Sequence, residues 1–380
     1  MSLPGTIWGK TMDAMTPVAV AEPVRFDGRL SGFVGLALGN LLLTIITLGI
    51  YRFWAKTRVR RHLWERTLFQ GEPLEYRGRG IEKLIGALIV AAVLIVPLIV
   101  LSMIAAFLIA SKAIWAAVIL YVVMYLALIW LIGVGIYRSQ RYIFSRTAWR
   151  GIRGGMVNGG WTYGLLFLKL MLLSVVTLGF ASPYVATRLW NARMNDAMFG
   201  SAQLGATANW RAVYSRFLFA WIGALVIYLV AIAVVMAALG PQLAAFKPGA
   251  PPPEHADAMF GAILKLYGVM ILASIAIGLL LLRYQAALLR ELFGQTSLDT
   301  LGFRFDATAG DLLKFALANF AIVIFTFGLG TILMPFRVWT FYVRHLSTVG
   351  SLDTDTLLQT SLAAPVQGDG LADAFDAAAF

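Results

Sequence analysis

Cysteine is absent from the 380 residues, which excludes disulfides, thiolate metal sites and cysteine nucleophiles. Histidine is nearly absent. His62, His255 and His345 lie far apart, no pair has metal-ligand spacing, and no acidic ligands gather near them. No G-x-S-x-G, H-E-x-x-H or G-x-x-x-x-G-K-[ST] pattern occurs, so neither an enzyme, a metal centre nor a bound cofactor is expected. Charge is scarce: Asp, Glu, Lys and Arg make up 13% of the chain, about half their share in a soluble domain. A cleavable signal is not expected either, because residues 1–28 hold one Lys before Asp13 and no apolar core segment.

What is present is apolar. Hydrophobic residues make up 60% of the chain and mean hydropathy is +0.79, which excludes a disordered chain and most soluble enzymes. A net charge of +12 would suggest nucleic acid in a soluble protein. Beside long apolar runs it reads as orienting cations and contacts to anionic headgroups at the cytoplasmic face. The expected partner is therefore the lipid bilayer, not nucleic acid.

Seven apolar runs stand out, at about 31–53, 84–110, 113–137, 163–186, 217–239, 262–282 and 312–336. Each is long enough to cross about 30 Å of hydrocarbon as a helix, and lipid offers open backbone groups no partner. The fold class expected is all-α: a polytopic helical membrane protein with a segment at 1–30 that is cytoplasmic or interfacial, one membrane domain at 31–350 and a mobile tail at 351–380. Runs two and three are joined by Ser111 and Lys112 alone, a tight helical hairpin. The loop 240–260, with Pro251, Pro252 and Pro253, should be extended and face outside, since the other connections carry the Arg and Lys. The glycine-rich stretch 151–160 reads as a flexible lead into run four.

Runs one, four and seven share a pattern. Each has Thr-x-Gly (Thr47 and Gly49, Thr177 and Gly179, Thr326 and Gly328), with Arg eleven residues after the Thr (Arg58, Arg188, Arg337). Asn40 and Asn319 also correspond. The pattern suggests three internal repeats, sought because repeats govern architecture. Glycine lets a backbone turn and threonine can satisfy freed backbone groups, so these three runs can be re-entrant or broken. Two arrangements follow: seven full spans, or four spans with three re-entrant runs and every basic segment on one side. Lys169 and Lys314 lie inside apolar runs. Lys314 can snorkel to the interface, and Lys169 is the stronger candidate for a polar site. Tyr51 to Arg61 mixes aromatic and basic residues as an interfacial anchor does, or as a site for a specific lipid or an anionic solute does.

Phe26-Asp27-Gly28, Asn40, Thr47-Leu48-Gly49-Ile50-Tyr51, Trp54 and Arg58, then Glu75-Tyr76-Arg77-Gly78 and Ser145 to Arg153, resemble the YjgN family of bacterial inner-membrane proteins, over about 25 to 355. The resemblance implies a multi-pass inner-membrane protein. It implies no activity and supplies no catalytic residues, because the family is a domain of unknown function. Two functions are expected from the residues: a transporter or channel for a small anionic solute, or a non-transport membrane scaffold or lipid-binding protein.

Overall fold

The computed structural model describes residues 21–245, 256–350, 352, 357–359 and 362. The chain alternates strands with helical hairpins. A bent first strand, β1 (Ala21–Pro23) and β2 (Arg25–Phe26), leads into a short helical hairpin, α1 (Leu30–Ile46) and α2 (Arg52–Trp64). The β-hairpin β3 (Thr67–Phe69) and β4 (Glu72–Tyr76) follows. A long helical hairpin comes next. Its outgoing arm is α3 (Gly80–Val90), a π-turn (Ala91–Ile95) and α4 (Val96–Ala110), and its returning arm is α5 (Ile114–Arg146).

The pattern then recurs. β5 (Thr147–Trp149) and β6 (Ile152–Met156) precede a second short hairpin, α6 (Trp161–Val176) and α7 (Ser182–Asn195). β7 (Ala197–Phe199) and β8 (Ala202–Ala206) precede a second long hairpin, α8 (Arg211–Ala245) and α9 (Ala256–Gly294). β9 (Thr296–Leu298) and β10 (Leu301–Phe305) precede the third short hairpin: α10 (Ala309–Phe325), a 3-10 turn (Leu329–Leu333) and α11 (Met334–Arg344). β11 (Leu346–Val349) closes the series.

The all-α expectation is thus corrected. The strands pair antiparallel into one eleven-stranded sheet, β2 to β11 each with its neighbour in sequence. β1 pairs with β11 while β2 pairs with β3. Val24 alone separates β1 from β2, and its N–H donates to the Leu346 carbonyl at 3.1 Å. One bent segment therefore joins the first strand of the meander to the last and closes the circuit. The seven long helices are corrected as well. Among the described residues, three stretches are long and apolar enough to cross a membrane, Ile114–Arg146, Arg211–Ala238 and Ile263–Gly294. Runs one, four and seven each break in two. The stretch 151–160, read as a flexible lead, contains β6. Of the loop 240–260, the described ends are helical, to Ala245 and from Ala256, and its three prolines lie outside the described residues.

The meander fixes where the helices go. Tight turns close β3–β4 and β5–β6 through Gln70-Gly71 and Arg150-Gly151, all four residues at positive φ, as type I′ hairpins require. In an antiparallel meander every second connection lies on the same rim. The tight turns share one rim, and all five helical hairpins leave from and return to the other. Seven full spans are incompatible with this path, because an odd number of crossings cannot return the chain to the rim it left.

A recurrent knot ties the hairpins together. Thr67, Thr147 and Thr296 each begin a strand, and each donates its hydroxyl to the carbonyl four residues back, at 2.8, 2.9 and 2.7 Å. Each also accepts an indole N–H: from Trp339 at 2.8 Å, Trp64 at 3.0 Å and Trp190 at 3.0 Å. Hydrogen bonds of this kind contribute about 1 kcal/mol each, and the indole bonds tie each short hairpin to a strand of the sheet. Phe33, Leu63, Trp64, Tyr76 and Phe336 form a core where the first and third short hairpins meet the sheet. Trp149, Leu298, Leu301 and Leu352 form another with Phe69 and Phe199.

Candidate functional site: a basic cleft beside a broken helical hairpin

The site begins with the three Thr-x-Gly turns. Thr47, Thr177 and Thr326 each donate to the carbonyl four residues back, at 2.7, 2.8 and 2.6 Å. The same hydroxyls accept the N–H groups of Tyr51, Ala181 and Gly330 at 2.9, 3.2 and 2.7 Å. Gly49, Gly179 and Gly328 donate to carbonyls five residues back, at 2.7, 2.7 and 2.8 Å, the long bond of a Schellman ending. Their φ values are +91°, +81° and +86°, which glycine alone adopts cheaply. Between Thr and Gly stand Leu48, Leu178 and Phe327, each at φ +50° and 94%, 80% and 97% exposed. Large apolar side chains in a strained left-handed conformation thus form all three tips. In the second hairpin, the Trp221 indole of α8 donates to the freed Leu178 carbonyl at 3.4 Å.

Below the first tip lies the cleft. A cavity of about 500 Å³ opens between α1 and α2 on one side and the 3-10 turn and α11 on the other. Arg52, Lys56 and Arg60 line it. At a spacing of four they share one face of α2. Asn40, Thr44 and Thr331 add polar atoms, and none of the described lining residues is acidic. Arg60 lies 5.7 Å from the Trp64 ring and 5.4 Å from the Tyr76 ring. Lys83, fully buried, approaches the same Tyr76 ring at 5.8 Å. Buried His62 packs 5.5 Å from the Phe33 ring. Burial, with a smaller contribution from Arg66, holds its imidazole below the usual histidine range.

The residues singled out by sequence divide by place. Thr47, Gly49, Thr177, Gly179, Thr326 and Gly328 form the tips and do not meet one another in one site. Asn40 lines the cleft and accepts from Arg58 at 3.5 Å. Asn319 likewise accepts from Arg337. The second hairpin has Leu170 in that place, and its Arg188 lies 6.0 Å from the Tyr184 ring. Lys169 is exposed on α6 and does not line the cleft. The sequence offered Arg52, Lys56 and Arg60 as part of the basic stretch 51–61, an interfacial anchor or a site for a lipid or an anionic solute, without separating them from Arg58 and Arg61. The spacing of four among Arg52, Lys56 and Arg60 was the signal that they face one way.

Residues 21–374 match the family described as bacterial protein of unknown function (DUF898). The inner membrane protein YjgN of Salmonella typhimurium is 35% identical over 65 residues, which is 17% of this chain and 16% of that protein. The match thus spans about a sixth of the curated relative's length. No solved structure matches. A membrane protein is what the three long apolar helices fit. With the whole of the closed meander and its five helical hairpins inside the matched range, the chain belongs to the DUF898 family of bacterial proteins of unknown function.

Proposed function

We propose that this is a multi-pass inner-membrane protein that holds an anionic phospholipid headgroup in the cleft between its first and third short hairpins. In this reading the sheet and the described chain ends lie on the cytoplasmic side, the two long hairpins cross, and the three short hairpins enter the near leaflet and return. The three short hairpins are three copies of one unit, supported by the identical hydrogen bonding of their Thr-x-Gly turns.

Depth along the hairpins supports the reading. At 1.5 Å per residue, Arg138 on α5 and Lys56 on α2 both stand about 12 Å from the C-terminal end of their helix, and the short tips about 25 Å. A 33-residue α5 reaches about 50 Å. If the headgroups lie level with Arg138 and Lys56, the tips penetrate roughly 10 Å of a hydrocarbon layer of about 30 Å. The exposed Leu48, Leu178 and Phe327 then meet hydrocarbon instead of water. Basic pockets between membrane helices on the cytoplasmic side are suited to anionic headgroups. The observation that carries the lipid assignment is the Arg52, Lys56 and Arg60 stripe lining a cleft at this depth.

Transport of an anionic solute is the second reading, favoured by three broken hairpins at membrane depth. Against it, the two long hairpins do not pack along each other: α8 packs on α9, and α5 packs on α6 and α4. Native mass spectrometry of delipidated protein with phosphatidylglycerol and phosphatidylcholine tests the lipid reading. Arg52→Gln with Lys56→Gln should weaken phosphatidylglycerol binding about tenfold, as loss of charge-assisted hydrogen bonds does, and leave phosphatidylcholine unchanged. Equal phosphatidylglycerol binding by both proteins overturns it. Saturable anion flux in vesicles, lost in the same variant, would favour transport.

A further inference from the structure

A second cleft lies between α8, α9 and the start of α10, well separated in sequence from the first. Its volume is about 380 Å³, and Arg216, Arg283 and Arg290 line it together with Ser215 and Phe219. No acidic residue is among the described lining residues. Three guanidinium groups, which stay charged at any physiological pH, thus share one small space. The nearby carboxylates are committed elsewhere. Glu291 accepts from the Asn209 N–H at 2.9 Å, Asp306 pairs with His345 at 2.7 Å, and Asp311 closes the capping box with Thr308. Arg216 donates to Ala212 in its own helix at 3.3 Å and Arg290 to the Ala307 carbonyl at 2.9 Å. Arg283 is exposed and meets no hydrogen-bond acceptor among the described residues. Like charges gathered in this way repel one another and favour a counter-anion, and guanidinium forks match phosphate oxygens two at a time.

We infer that this cleft is a second site for the phosphate of an anionic phospholipid, with Arg216, Arg283 and Arg290 as its ligands and the acyl chains laid along α8. The lipid, and not a free phosphate ion, is assigned because the cations adjoin an exposed apolar face. Arg283 and Arg290 stand about 16 and 6 Å along α9 from its C-terminal end, which brackets the level of Arg138 and Lys56. On the membrane side of the arginines, Phe219 is 66% and Ile222 48% exposed. The inference shares with the proposed function its placement in the membrane but not the first cleft or its ligand.

The test counts tightly bound phosphatidylglycerol on delipidated full-length protein by native mass spectrometry. Arg216→Gln with Arg283→Gln, both exposed positions that keep most of the side-chain length, should remove one bound lipid, both in the wild-type background and with Arg52 and Lys56 already replaced. A titration should show about tenfold weaker binding at that site. Arg216→Lys with Arg283→Lys should restore part of it. An unchanged count overturns the second site while leaving the first untouched. A count lowered only by the Arg52 and Lys56 replacements does the same. Inorganic phosphate at equal concentration should not displace the lipid, and if it does, the lipid assignment fails. Matching melting temperatures of the variants and the wild type show that the loss is local. If the glutamine pair does not fold, Arg283→Gln alone decides, since that side chain holds no other described contact.

Discussion

The short and long hairpins stand on the same ring and start from equally apolar outgoing arms, yet they are different devices. In the first long hairpin the arms stay apolar on both sides of their turn: α4 has no charge, and α5 has none before Arg138. In the first short hairpin the outgoing arm has no charge, while the returning α2 carries Arg52, Lys56, Arg58, Arg60 and Arg61. A Schellman turn ends the outgoing helix after 17 residues, too soon to cross. The comparison teaches that reach is set by where local chemistry lets the chain turn, and that a chain turned early can bring cations back through headgroup depth.

The sharpest way to break the comparison is accessibility, where the effect is all or none. With no native Cys, single replacements report cleanly. Lys112→Cys, at the turn of the first long hairpin, should react with an impermeant maleimide on intact spheroplasts. Arg150→Cys should react only after permeabilisation, and Leu48→Cys in neither case until detergent is added. External labelling of Leu48→Cys would mean that short hairpins cross like long ones.

A smaller effect sharpens the account of the turn. Gly49→Val forces a β-branched residue to φ +91° and should cost about 2–3 kcal/mol, read as a lowered unfolding temperature in detergent. Gly39→Ala, inside α1 where an added Cβ meets nothing within 4 Å, should be neutral or gain up to about 1 kcal/mol. If the two cost the same, the turn is not what limits the hairpin.

The smallest effect expected is in pH. His62 at the base of the first short hairpin is held below its ordinary value of 6.5. Below that value the unfolded chain takes up the proton and the folded protein resists it, so stability falls as pH drops through 6.5 toward the lower folded value. His62→Phe should flatten this dependence between pH 7.5 and 5.5. An identical slope in both proteins would show that His62 is not responsible.

The fold was legible in sequence only where the cause is local. The break at Thr-x-Gly could be read because one threonine hydroxyl and one glycine φ make it, within five residues. The sheet was not legible. Its strands have two to five residues, shorter than an alternation pattern can reveal. Gln70-Gly71 and Arg150-Gly151 were the available signals, hidden beside apolar runs that claimed the helix reading. In the candidate site, Arg52, Lys56 and Arg60 were visible as a cluster, but which wall they face depends on α11, almost 300 residues on. Arg216 and Arg283 gave no hint of one another, being on separate arms of a long hairpin.

By itself the sequence determined the membrane class, the family resemblance and the three turning points, because hydrophobic run length and turn chemistry act over one or two helical turns. Only the tertiary structure decided that the chain returns to one rim five times, that Ala21–Phe26 closes the sheet between β11 and β3, and which cations share a cleft. Those outcomes depend on antiparallel pairing and on indole-to-threonine bonds spanning 83 to 272 residues, contacts between segments whose local sequences carry no trace of their partners.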